Sequence, residues 1–288
     1  MLALSTGSLY TYGLDRVFGL AKKAGFDGIE VLVDGRWDTR QADYLQHLMD
    51  RHGLPVVSLH SPFHLIRIPD WEQDPTWRLK RTVELAKALG ARVVVAHPPL
   101  GWLRISLHVT GASNKRDFWV GLPLSWFVGR PYARWLCDEM EAFQGRTEVT
   151  VAVENMPRRR IGPLGFDLYQ MTRLGSLERF RYLTLDTTHL ATHGIDIIQT
   201  YERLADQVAH VHLSNYNGRE HRLPLDGHLP LADFLRRLAQ DDYRGIVTLE
   251  LQPDVLGAGD DNRVLANLRT AVDFHRRYFG REDQGMKR

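Results

Sequence analysis

The stretch Glu148-Val149-Thr150-Val151-Ala152-Val153-Glu154-Asn155-Met156-Pro157 constrains the fold more than any other part of the chain. Its apolar residues run without polar alternation, so neither face of a strand here meets water. Strands buried on both faces belong to parallel sheets, where crossover helices cover them. Pro157 has no N–H to give to a ladder, which ends the strand before it. Glu154 therefore stands at the carboxyl end of a buried strand. One strand-end glutamate is ordinarily a surface charge; recurrence of the pattern is what changes its meaning.

The pattern recurs along the chain. Short apolar runs at residues 2–6, 28–33, 54–60, 91–97, 181–186, 208–214 and 245–251 read as further strands. Helical periodicity separates them, at residues 13–24, 39–52, 75–89, 131–143, 166–174, 196–205, 231–239 and 261–279. Gly25, Gly53 and Gly90 follow three of these helices as C-caps, and Asp74-Pro75 opens one as N-cap and first helical residue. Strict alternation implies a parallel sheet, and eight units imply closure into a (β/α)8 TIM barrel of class α/β. No Gly/Ser linker or composition shift divides the chain, so residues 1–280 are expected to be one domain and residues 281–288 a flexible tail.

The alternation pauses once, after the fourth strand. Residues 100–130 are long for a connection and rich in Trp, Phe and Gly, as lids over sites are. Residues 106–110 suit one strand of a small hairpin. Trp102, Phe118, Trp119, Trp126 and Phe127 line a site or a homo-oligomer contact, or anchor the segment to the barrel. Arg158-Arg159-Arg160 falls in a Gly/Pro-rich loop and reads as a solvated turn, with phosphate contact as the sharper use.

Bulk properties narrow the classes. With 43% apolar and 25% charged residues, the composition is that of a globular protein. The net charge of +2 and the lack of a long basic block give no support for nucleic acid as a partner. No apolar run approaches a membrane span, and the first residues lack a basic, signal-like region. The single cysteine, Cys137, excludes an internal disulfide and a Cys-rich zinc site, and suits a reducing cytoplasm.

Active sites of such barrels lie at the carboxyl ends of the strands. Reading those ends gives Glu30, His60, His97, Glu154, Asp186, His212 and Glu250, with His189 just beyond the sixth strand and His221 in the loop after the seventh. Carboxylates crowded on one rim repel one another unless positive charge sits between them. A divalent cation supplies it. Mixed carboxylate and imidazole donors suit zinc, manganese or cobalt. The expected ligands are Glu154, Asp186, His212 and Glu250, from four adjacent strands.

Ordered segments extend the reading: Gly25-Phe26-Asp27-Gly28-Ile29-Glu30, His60-Ser61-Pro62-Phe63, Val94-Val95-Ala96-His97-Pro98, Val153-Glu154-Asn155, Leu185-Asp186-Thr187-Thr188-His189, His210-Val211-His212-Leu213 and Leu249-Glu250. Together they make the chain resemble the xylose-isomerase-like TIM barrels, which include sugar phosphate isomerases and epimerases and the family 2 AP endonucleases. The resemblance spans nearly the whole chain outside residues 100–130. Its epimerase branch implies the same four metal ligands, Glu154 and Glu250 as the proton-transfer pair, and His189 holding substrate. Its endonuclease IV branch implies further metal ligands at His60, His97, His189 and His221. There the carboxylate expected two residues before His221 is Arg219, with Glu220 one position off, and the early DNA-contacting motif is absent.

The expected protein is thus a metal-dependent isomerase or epimerase of a small sugar, sugar phosphate or hydroxy-ketone. An endonuclease IV-like phosphodiesterase of abasic DNA and a metabolite-binding barrel without turnover are the alternatives. His60, His97, His189, Arg219, His221 and Glu30 are the candidates for substrate contact or additional metal.

Overall fold

A computed structural model describes residues 1–101, 103–111, 114–122, 130–161 and 164–280. Its strands are β1 (Leu2–Ser5), β2 (Gly28–Leu32), β3 (Val56–His60), β4 (Val93–Ala96), β5 (Leu103–Gly111), β6 (Asn114–Leu122), β7 (Thr150–Glu154), β8 (Arg158–Ile161), β9 (Leu164–Asp167), β10 (Leu183–Asp186), β11 (Val208–Leu213) and β12 (Ile246–Leu249). Eight of them close a barrel in the order β1-β12-β11-β10-β7-β4-β3-β2, every neighbouring pair parallel. β5 pairs with β6, and β8 with β9, as antiparallel hairpins outside the barrel.

The helices are α1 (Leu14–Ala24), α2 (Ala42–His52), α3 (Pro75–Leu89), α4 (Arg130–Asp138), α5 (Met140–Gln144), α6 (Leu174–Leu177), α7 (Thr187–Thr192), α8 (Ile197–Leu204), α9 (Leu231–Gln240), α10 (Pro253–Leu256) and α11 (Asp261–Phe279). The larger apolar core lies between helices and barrel wall, with Phe18, Leu45, Leu79, Phe234 and Leu268 in it. A smaller cluster of Ala3, Val57, Val93, Ala152 and Ile246 comes from five barrel strands. Further along the strands the buried residues turn polar: Ser5, His60, Glu154, Asp186 and His212. That change places chemistry at the carboxyl end.

Local signals act as the sequence implies. Gly25, at φ 95°, takes a left-handed conformation that costs other residues a Cβ clash, and its N–H closes α1 on Ala21 and Lys22. Asp74 caps α3 through a 2.7 Å bond from the Trp77 N–H, with Pro75 opening the helix. No helix among the described residues is long and apolar enough to cross a membrane.

Three local expectations fail. Residues 166–174 are not a helix: they hold the end of β9 and a bridge from Tyr169 to Leu100, and only α6 at Leu174–Leu177 is helical. The apolar spacing there mimics a helix, but the backbone bonds go elsewhere, Gln170 N–H to Pro99 and Gly101 N–H to Leu168. Arg158, Arg159 and Arg160 are not in a loop but form most of β8. The helix expected at 131–143 is broken at Glu139 into α4 and α5. The hairpin expected after the fourth strand is present as β5–β6, longer than residues 106–110. Phe118 and Trp119 fall in β6, whereas Trp102, Trp126, Phe127 and residues 281–288 lie outside the described residues.

His275 of α11 is 6% exposed, and its Nε2 has no hydrogen-bond partner among the described residues. Burial disfavours the charged ring and lowers its pKa from 6.5 to about 4. Below pH 6.5 the unfolded chain binds a proton that the folded chain refuses, so this group removes stability as pH falls from 6.5 to 4. His275→Gln should flatten the acid side of the stability curve, by up to about 3 kcal/mol at its foot. Urea unfolding of both proteins across that range measures it; parallel curves would contradict the assignment.

Candidate metal centre

Glu154 ends β7, Asp186 ends β10, His212 lies next to the end of β11, and Glu250 follows β12. These four strands are consecutive in the barrel, and one ligand atom from each residue lies within 4.8 Å of the others. His212 is the centre of the group. Its Nδ1 is 2.9 Å from Glu154 Oε1, 3.0 Å from Glu250 Oε2 and 3.8 Å from Asp186 Oδ2. Three of the residues are buried, while the Glu250 side chain keeps 16% exposure.

Asp186 shows how the local sequence builds the site. It ends β10 and caps α7 at once: Oδ1 accepts bonds from the His189 N–H at 2.7 Å and the Thr188 hydroxyl at 3.0 Å. This occupies one oxygen and leaves Oδ2 buried without a partner among the described residues. Asn155 extends the ladder with its side chain, accepting from the Asp186 N–H at 2.8 Å and donating to its carbonyl at 3.0 Å. The Val-Glu-Asn and Asp-Thr-Thr-His segments therefore lock together across β7 and β10.

The histidines beside the quartet have assigned faces. His60 Nδ1 donates to the Ser61 carbonyl at 2.9 Å, and His189 Nδ1 donates to that of Asn155 at 2.8 Å. A carbonyl only accepts, so each neutral ring carries its lone pair on Nε2. His60 Nε2 lies 3.6 Å and His97 Nε2 3.1 Å from Glu154 Oε2, and the two imidazoles are 3.2 Å apart. His221, held at φ 58°, joins Asp186 and His189 in a second three-ligand group; His60, Glu154 and His212 form another.

The other expected residues are placed differently. Glu30 is not at the rim: it is the middle residue of β2, fully buried inside the barrel beneath His212. Arg219 is exposed, its N–H bonded to Asn217 Oδ1. Its neighbour Glu220 turns towards the site, 3.8 Å from His189 Nε2, and pairs with Arg159 of β8. The sequence placed Glu220 one position off an expected ligand and Arg159 in a solvated turn or phosphate contact, and did not pair them, because each sits on a loop or hairpin without a period to orient it. His210 was also missed; its spacing of two from His212 was the available signal that both enter the barrel.

Electrostatics follow from this crowding. Burial opposes the ionised form of Glu154, but the His212 charge, the His212 bond and the nearby His60 and His97 rings hold it well below the usual carboxylate range. Burial likewise works against ionised Glu250, yet His212 and His221 bring it down to about 2. Asp186 goes the other way: burial, with Glu154 nearby, raises it despite His189 and His221. His212 is raised well above its ordinary value, since Glu30, Glu250 and Glu154 outweigh its burial. His97, buried with less compensation, falls to about 4. The cluster thus holds anionic oxygens and recruits protons to balance them, which is the environment a divalent cation replaces.

The donor set fits such an ion. Glu154 Oε2 and Asp186 Oδ2 are buried and unbonded, and three carboxylates surround one imidazole nitrogen. Hard carboxylate oxygens with one imidazole suit a first-row divalent metal.

A closed parallel barrel with carboxylates and histidines gathered at its carboxyl rim defines a class of metal-site TIM barrels. The chain belongs to the xylose isomerase-like TIM barrel family, whose pattern matches residues 18–268. An uncharacterised Mycobacterium tuberculosis protein is 30% identical over 272 residues, covering 87% of this chain and 88% of its own. A Mycobacterium leprae protein, also uncharacterised, is 28% identical and covers 96% of this chain and 97% of its own. Among solved structures, Escherichia coli 3-keto-D-glucoside 4-epimerase superposes with TM-score 0.67 at 17% identity. AP endonuclease family 2 from Brucella melitensis superposes with TM-score 0.64 at 19% identity. Each of these two covers 94% of this chain and 98% of its own. Identities this low carry the fold and not the reaction.

Asp186→Asn keeps the Oδ1 acceptor that caps α7 but removes the negative charge. Divalent-metal affinity should fall at least about tenfold, with the unfolding midpoint little changed. Chelator competition and thermal unfolding measure the two. Unaltered affinity would remove Asp186 from the ligand set.

Proposed function

We propose that the protein is a divalent-metal-dependent isomerase or epimerase of a small sugar, sugar phosphate or related hydroxy-ketone, working by proton transfer through an enediolate. The observation that carries this reading is the convergence of Glu154, Asp186, His212 and Glu250 on one point, with Glu154 Oε2 and Asp186 Oδ2 unbonded. Zinc, manganese or cobalt suits the set. When bound, such a cation polarises neighbouring oxygens of a hydroxy-ketone and lowers the pKa of the intervening C–H.

The chain's own residues perform the rest. Glu154 and Glu250 are ionised at neutral pH, and so each is able to take a proton. They leave strands three steps apart in the barrel order β7-β10-β11-β12, which lets them approach a planar enediolate from different sides. One removes the carbon-bound proton and the other returns one. His189 offers its Nε2 to a substrate hydroxyl, its ring held by Asn155. His60, His97 and His221 line the same space. Residues 100–130 act as a lid; in support, their first residues are tied to Leu168 and Tyr169 beside the site. A cytoplasmic setting accords with the lone Cys137.

A specific observation supports a second reading, an endonuclease IV-like phosphodiesterase. The groups His60–Glu154–His212 and Asp186–His189–His221 offer further metal seats, and Arg219 is exposed. One ion per chain favours the isomerase and three favour the nuclease. A metabolite-binding barrel would retain metal and exchange no substrate proton.

Glu154→Gln and Glu250→Gln should each lower exchange of a substrate C–H with solvent by about 10²-fold or more while metal is retained. Deuterium wash-in on hydroxy-ketone substrates reads this; wild-type rates in both would place the base elsewhere. Incision of an abasic duplex by the purified protein should be weak or absent. Robust chelator-sensitive cleavage would overturn the isomerase reading.

A further inference from the structure

Glu30 lies below the quartet and belongs to none of the proposed chemistry. It is fully buried in the middle of β2, three steps around the barrel from β11, and crosses the interior to meet it. Its Oε1 is 3.0 Å from His212 Nε2. Its Oε2 accepts the Ser58 hydroxyl at 2.8 Å and lies 3.0 Å from His210 Nε2. A buried carboxylate with three donors is held ionised. The same His210 Nε2 also lies 2.9 Å from the Thr248 hydroxyl.

We propose that Glu30 is a positioning residue for His212, a statement that rests on the proposed metal site. His212 has two faces, and carboxylates stand on both. Nδ1 faces Glu154, Glu250 and Asp186, and Nε2 faces Glu30. A neutral imidazole carries one proton. With Glu30 accepting the Nε2–H, the lone pair is confined to Nδ1, the nitrogen inside the quartet. The same bond sets the plane of the ring and strengthens Nδ1 as a donor. Ser58 and His210 have the reciprocal task of holding the Glu30 carboxylate in place. Without Glu30, Nε2–H is left without its acceptor, and the carboxylates around Nδ1 compete for the proton at that nitrogen.

The test uses zinc and the full-length protein with 15N-labelled histidine. In the zinc-loaded wild type, long-range 1H–15N correlation should find the His212 proton on Nε2 and shifted downfield by the carboxylate bond. In Glu30→Gln, that resonance should move upfield and zinc affinity, from competition with a chromophoric chelator, should fall 10- to 100-fold. Ser58→Ala, which removes one of the bonds holding Glu30, should shift both readouts in the same direction by less. Unchanged resonance and affinity in Glu30→Gln would overturn the proposal. So would a wild-type His212 that carries its proton on Nδ1, a result that stands even if the variant does not fold. Loss of a second zinc ion in Glu30→Gln would make Glu30, His210 and His212 a metal seat and also overturn it. If the wild type takes up no zinc, the proposed function fails. The inference is then read from metal-free protein, where the His212 Nε2–H bond must be present and lost in Glu30→Gln.

Discussion

The site depends on one imidazole placed between carboxylates on both of its faces. His212 has Glu154 and Glu250 within 3.0 Å on its Nδ1 side and Glu30 at 3.0 Å on its Nε2 side. Burial alone would strip charge from each of these groups. Their mutual attraction prevails instead, lowering the pKa values of the acids and raising that of the ring. Such an arrangement is costly to dismantle piecemeal, because removing any one member leaves another charge buried and uncompensated. It also explains why the barrel tolerates this many ionisable groups in its interior: they form one connected network with opposite signs adjacent.

Backbone and side chain are coupled at the rim. Asp186 terminates a strand and starts a helix within a single residue, and spends one carboxylate oxygen on the helix cap. The remaining oxygen is aimed at His212 by that commitment. His189 follows one turn later and is turned back to the Asn155 carbonyl, so the same short helix orients a second donor. Rigidity at this point comes from hydrogen bonds between β7 and β10 as much as from packing, since Asn155 pairs with both the N–H and the carbonyl of Asp186. Positioning by such second partners is what lets a site keep its geometry when a ligand enters.

The rim is also more populated than one ion requires. His60, His97, His189, His221 and Glu220 surround the quartet, and Arg159 reaches Glu220 from the neighbouring hairpin. Structures that superpose on this chain include a sugar epimerase and a family 2 AP endonuclease.

The sequence alone determined the barrel, the four converging residues and those helix ends marked by Gly25, Gly53, Gly90 and Asp74. Each of these is written in short-range terms: apolar runs ending in a ligand-type residue, a glycine where the chain needs positive φ, an aspartate ahead of a helix. Parallel alternation then admits few topologies, and closure brings Glu154, Asp186, His212 and Glu250 onto neighbouring strands without further information. Tertiary structure decided what depends on depth and orientation. Glu30 reads as another strand-end acid, yet a strand of five residues places it mid-barrel, facing β11. Glu220 and Arg219 are adjacent in a loop, and only the fold turns one inward and the other to solvent. Residues 166–174 carry a helical spacing, but the chain leaving β4 supplies their backbone partners and makes a bridge instead. Local pattern determines which face of an element is apolar; how deep a residue sits, and which distant backbone competes for its hydrogen bonds, is decided only when the elements meet.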